Sequence, residues 1–261
     1  MKRLLLVLPI MTGACMAEPT LNEAQKVFKD QQLAALANAS CRGDVDAIQL
    51  LLRKDVPVDG TGHRSTTPLA WAVGCRDLDG VRALLEAGAN PNHLIDEKYT
   101  VFWAAAGHDN VDILQSMLDH GADINFMAPD EDTVLMHTVL LGAWKSFQFL
   151  VDAGADLNKA GPVSGSTVAT SCLTSFRFDL VVELIEKGYR YDLVDLAVYA
   201  ENLPVNENAR PARDHLLSVL KAHGVEWPLP ARLTDEARVS YMAEHPKYAR
   251  EHPESAPRRV K

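Results

Sequence analysis

The stretch "LLEAGANPN", residues 84–92, returns as "MLDHGADIN" at 117–125 and as "LVDAGADLN" at 150–158. The central glycines, Gly88, Gly121 and Gly154, stand 33 residues apart, and Gly188 follows 34 residues later. A period of that length marks one supersecondary unit written several times over, and it has to be settled before any catalytic motif is sought. Counting back from the glycines, each unit opens near a threonine: Thr67, Thr100, Thr133 and Thr167.

Inside a unit the pattern is that of two short helices. In "TPLAWAV" (67–73), Thr67 is placed to cap a helix, Pro68 suits its first position, and small apolar residues follow. "LDGVRALLEAG" (78–88) then puts Leu78, Val81, Leu84 and Leu85 on one helical face. Gly88 ends that helix, because glycine accepts the left-handed conformation that closes it. The polar residues leading to the next threonine suit a projecting turn.

The chain resembles the ankyrin repeat family. The residues that carry the likeness are "TPLAWA", "AAAGHDNVDIL" (104–114), "GADIN" (121–125) and "GADLN" (154–158). The resemblance implies an all-α ankyrin-repeat solenoid of about five to six helix-turn-helix units, with three strong units over about residues 62–160. Weaker units flank them. Residues 33–59 hold Asp55 where the glycine belongs, 166–192 keep Gly188 but lose the Asp/Asn pair, and 193–227 carry an insertion between Pro204 and Pro211. End units diverge because they must offer a polar outer face. The repeat domain is therefore expected over 18–227, followed by a C-terminal extension at 228–261. Within the extension, 234–245 can form one more helix, and 246–261, with three prolines and little to bury, reads as disordered or loosely docked.

The first 17 residues read differently. Lys2 and Arg3 precede the apolar run 4–11 and the small residues Thr12, Gly13 and Ala14, which is the layout of a secretory signal and too short to span a bilayer. Two cleavage readings are open. "TGAC" resembles a lipobox with Cys15 as the lipidated residue, although Thr12 replaces the usual branched apolar residue; alternatively a signal peptidase cuts after Ala17. Either places the chain in the periplasm, soluble or lipid-anchored, and a membrane enters only through that anchor.

Cleavage would remove two basic residues and no acid, taking the formal net charge from −9 to −11. That sign repels nucleic acid and favours a basic partner. Export would also favour cysteine pairing. Cys172, in an apolar stretch, is expected as a buried free thiol. Cys41 and Cys75 lie near the ends of corresponding helices in neighbouring units, but stacked helices stand about 10 Å apart. A disulfide needs Cα atoms within about 7 Å, so the two are expected to stay unpaired.

No constellation for chemistry emerges, and the chain is expected not to be an enzyme and to need no metal or cofactor. The nine histidines include no His-Glu-x-x-His pair and no cysteine pair has zinc spacing. His108 and His120 fall at turn positions where histidine bonds backbone carbonyls, and His245 and His252 sit on the proline-broken tail. "GPVSGS" (161–166) lacks the order of a nucleophile elbow or phosphate loop and reads as an enlarged turn. Trp71, Trp103 and Trp144 read as core residues.

The resemblance implies that a protein partner is recognised by the turn tips. The candidate residues are Arg64, Asp96, Glu97, Tyr99, Asp130 and Asp132, with Trp103 and Phe126 as apolar anchors. Acids predominate there, against a background in which acids are common in any solvated turn. The function expected is an immunity protein, exported to the cell envelope, that occludes a secreted antibacterial toxin bearing a basic patch. Two alternatives remain: a periplasmic ankyrin protein supporting oxidative-stress defence, and a hydrolase with a site assembled across repeats.

Overall fold

In the computed structural model, residues 21–230, 234–251 and 253 are described. The proposed signal segment and Cys15 lie outside the described residues, as do His252 and residues 254–261. The chain divides into two compact units, 1–155 and 156–261. Both are helical, and the sheet among the described residues is confined to one two-residue pair of strands.

The first unit contains α1 (Leu21–Val27), α2 (Gln31–Ser40), α3 (Val45–Leu52), α4 (Pro68–Cys75), α5 (Leu78–Glu86), α6 (Val101–Ala106), α7 (Val111–Asp119), α8 (Val134–Leu141) and α9 (Trp144–Asp152). A hairpin of β1 (Leu94–Ile95) and β2 (Tyr99–Thr100) precedes α6. First helices pack in the series α2, α4, α6, α8, and second helices in the series α3, α5, α7, α9. Each layer thus buries its apolar face on the next, which is why no single hairpin needs a core of its own.

The threonines do what their positions suggest. Thr67, Thr100 and Thr133 are buried, and each side chain accepts a hydrogen bond from the backbone N–H three residues on, at 3.2, 3.0 and 3.1 Å. That satisfies one of the donors a helix start leaves open. At the other end, Gly88 and Gly121 take φ of +90° and +82°, the left-handed closure the repeat demands. Asp55, standing in for the glycine of the first weak unit, takes φ +60° as well.

The Asn/Asp pairs that define the repeat by eye tie one turn to the next. Asp59 accepts from Asn90 N–H at 3.0 Å. Asn92 donates its amide to Gly121 O and accepts from Asp123 N–H, both at 2.8 Å. A second set of struts runs on the side of the inner turns. His108 Nδ1 lies 3.1 Å from Val73 O, and Asp109 accepts from Ser146 N–H at 2.9 Å. Ala143 offers α9 no side-chain cap, so Asp109 of the preceding repeat supplies one.

One expectation is overturned. Cys41 and Cys75 form a disulfide, with Cα atoms 5.3 Å apart. The spacing of about 10 Å applies to helices separated by large side chains, whereas α2 and α4, which pack on each other, are rich in small buried residues: Ala34, Ala37 and Ala39 on α2, and Ala70 and Ala72 on α4. Gly80, at the start of α5, extends the close approach: a Cβ there would lie 1.8 Å from Ser40 O. Cys172 is free and buried, as expected.

The second unit contains α10 (Val168–Thr174), α11 (Phe178–Glu186), α12 (Leu193–Asn202), α13 (Arg210–Ala222), α14 (Asp235–Glu244) and α15 (Pro246–Glu251). Thr167 caps α10 and also bonds the hydroxyl of buried Tyr189 at 3.1 Å. Asn158 repeats the bridging role, donating to Gly188 O and accepting from Arg190 and Tyr191 N–H. The tail departs from the sequence reading: 246–251 form a helix, and Tyr248 on it is only 2% exposed. Prolines at 246 and 253 bracket this short helix instead of preventing it, since Pro246 occupies its first position.

α14 is fastened by polar groups. The Tyr241 hydroxyl donates to Glu226 O and accepts from Glu226 N–H, each at 2.9 Å. Arg238 pairs with Asp192, the buried N-cap of α12, and lies 3.6 Å from Asp195.

Candidate functional site

The candidate residues lie on three successive turn tips of the first unit. The first is a single 3-10 turn, His63–Ser65, in which Arg64 takes φ +57°. The second is the β1–β2 hairpin turn, where Lys98 N–H bonds Ile95 O and both central residues, Asp96 and Glu97, have φ near +55° to +60°. The third runs from Ala128 to Asp132, closed by Ala128 N–H to Asp132 O at 2.9 Å, with Glu131 at φ +66°. Left-handed backbone at non-glycine residues is uncommon, and an acid recurs there on two tips.

Contacts between tips use several of the candidates. Arg64 donates to Asp96 Oδ2 at 2.5 Å, and Asp96 N–H bonds Arg64 O at 2.8 Å. The guanidinium holds the Asp96 carboxyl below the usual carboxylate range. His93 Nε2 lies 3.0 Å from Ser65 O. From the second tip to the third, the Tyr99 hydroxyl donates to Asp130 Oδ2 at 3.0 Å. Burial first, then the bond to Asp130 and the nearby carboxylates, push the Tyr99 phenol up to about 12.

Beneath Tyr99 lies an aromatic stack. Its ring lies 4.2 Å from that of Trp103, and Trp103 lies 3.4 Å from the imidazole of His137, all nearly parallel. Trp103 is 2% exposed, so it forms the floor of the site and presents no contact surface of its own. His137 is also buried, with Nδ1 facing Asp132 Oδ2 at 3.7 Å and making no hydrogen bond. The structure thus brings Tyr99, Trp103, Asp130 and Asp132 together and pairs Arg64 with Asp96. Glu97 remains exposed, and Phe126 is half-buried with no ring contact to the stack among the described residues.

His137 is the residue that sequence reasoning missed. It follows Trp103 by 34 residues, one repeat and one position more, and that recurrence of rings was its available signal. Two other histidines approach backbone carbonyls: His120 Nδ1 lies 2.8 Å from Ser116 O and His108 Nδ1 lies 3.1 Å from Val73 O, and burial lowers the pKa of His108. Among the described residues no group of three or more His, Cys, Asp or Glu could hold a metal ion, and no helix is long and apolar enough to cross a membrane.

Comparison with known proteins agrees with the architecture. A sequence model of ankyrin repeats, in three copies, matches residues 10–95. Protein PhlB of Serratia liquefaciens is 36% identical over 89 residues, covering 33% of this chain. The chain spans about two-fifths of the length of that relative, 39%. Residues 10–95 match ankyrin repeats, the fold is an all-α repeat solenoid, and repeats of that kind imply a protein–protein interaction module.

Proposed function

We propose that this chain is an exported immunity protein, which binds a secreted antibacterial toxin through the tips of its first unit and so protects the cell that makes both. The observation that carries the reading is the tip surface itself. Asp130 bonds Tyr99 and Asp132 faces His137, so two carboxylates border a stack of three rings, and exposed Glu97 lies on the tip before them. A predominantly acidic surface held in place by packed rings loses little entropy on binding and speeds association with a basic protein. That suits an inhibitor that must capture its target before damage is done.

The Cys41–Cys75 disulfide supports the export half of the proposal, because such bonds persist in oxidising compartments such as the periplasm. On this reading residues 1–17 are the signal, with Cys15 as the lipid anchor or with cleavage after Ala17.

Deletion of the gene tests the function directly. The deletion strain should be killed in contact with its parent and rescued by the full-length gene, whereas a version lacking residues 2–17 should not rescue. Survival of the deletion strain against a toxin-competent parent would refute the immunity role.

A further inference from the structure

Resting on the proposed partner-binding role of the tips, we infer that the cluster of Tyr99, Asp130 and Asp132 is a seat for one arginine side chain of the protein partner. Two carboxylates approach one phenol here, and they differ in what holds them. Asp130 takes the Tyr99 hydroxyl at 3.0 Å. Asp132 is 17% exposed, and the one polar group recorded near its carboxylate is the imidazole Nδ1 at 3.7 Å, beyond hydrogen-bond distance. That nitrogen belongs to a side chain 6% exposed and has no hydrogen-bond partner itself. An acceptor and a buried ring nitrogen thus face one another across a gap neither closes, and each such unmet group is costly inside a protein.

The occupant follows from charge and shape. The cluster is acidic, and Arg64 on the first tip is bonded to Asp96. A divalent metal is a poor fit, since no three ligating side chains converge among the described residues. A guanidinium suits the site better than an ammonium, because its planar fork of N–H donors can bond more than one acceptor at once. Tyr99, packed on Trp103, fixes the Asp130 carboxylate through its hydroxyl.

The test uses the full mature chain and short peptides: hexa-arginine, hexalysine and hexaglutamate, with calcium chloride as a metal control, read by calorimetry and by tryptophan fluorescence. Hexa-arginine should bind at least tenfold more tightly than hexalysine, and hexaglutamate and calcium should give no heat. Asp130→Asn with Asp132→Asn should weaken hexa-arginine at least tenfold. Asp79→Asn with Asp112→Asn, exposed acids on α5 and α7, should leave it unchanged. Tyr99→Phe, which keeps the ring and frees Asp130, should weaken it a few-fold with an unchanged melting temperature. Equal binding of the two basic peptides, equal losses from the two acid pairs, or a calcium heat would each overturn the inference. The partner-binding role is judged separately by capture of the native partner: capture lost in the Asp130/Asp132 variant without hexa-arginine binding leaves that role standing and the arginine seat refuted. Peptide binding with undiminished capture does the reverse for the role of this cluster.

Discussion

The two units solve the same problem by different means. In the first, almost every layer is joined to the next by a small set of identical devices: a buried threonine cap, a left-handed residue after the second helix, and an Asn or Asp that reaches into the following turn. The second keeps one such threonine and one such asparagine. It then finishes with a half-buried arginine, Arg238, paired with buried Asp192 beside the more exposed Asp195, and with two buried tyrosines from α14 and α15. Repetition spreads stability over many modest bonds, whereas a terminus that has no further neighbour concentrates it in a few strong ones. A break in either unit should therefore look different.

The largest effect is expected at Arg238. Arg238→Met leaves Asp192 and Asp195 with no counter-charge, and breaking a buried pair in this way costs about 3–5 kcal/mol. Its pH dependence has a definite sign. Burial holds both carboxyls above the ordinary aspartate range, and Arg238 only partly opposes this. The folded form therefore takes up protons more readily than the unfolded form, so this contribution is greatest at low pH and is lost as pH rises through the raised values. The variant's defect in the second unit should shrink between pH 7 and pH 5 in denaturant melts; a defect that grows on acidification would contradict the assignment of burial as the dominant cause.

Next comes the disulfide. It closes a loop of 34 residues, for which chain entropy suggests about 3–4 kcal/mol. Cys41→Ser with Cys75→Ser, or reduction, should lower the stability of the first unit and leave hydrogen-exchange protection in the second unchanged. Smaller again are the caps. Thr100→Ala and Thr133→Ala should each cost about 1 kcal/mol, and Thr167→Ala more than either, because it also strands the Tyr189 hydroxyl. Equal losses at all three would erase the contrast between the units. The smallest effect on stability belongs to Arg64→Ala: its pair with Asp96 is open to solvent, and such pairs contribute little.

How much of this the sequence disclosed depended on whether the cause was local. The threonine caps and closing glycines were legible because each acts on its own helix within a few residues. Asn92 and Asn158 were visible as pattern, yet their partners lie about thirty residues away, so the bonds themselves were not. The disulfide was misjudged for a related reason: an average helix spacing hid the effect of alanines and Gly80 on one particular contact. Likewise Tyr248 read as part of a tail because the groups that enclose it, among them Tyr241 on α14 and the backbone at Gly224, precede that segment. At the candidate site the tip acids were found, but their pairing was not. Arg64 with Asp96, and Tyr99 with Asp130, follow from how consecutive tips face one another.

Cys172 has a bearing on how the chain matures. Three thiols, Cys41, Cys75 and Cys172, admit three pairings, and only one is native. Once its segment has folded, Cys172 is enclosed and its thiol is pushed up to about 12, which leaves almost no nucleophilic thiolate near neutrality. Shuffling to a wrong partner is thereby confined to the unfolded chain, and a finished molecule needs no isomerase to keep its bond in place.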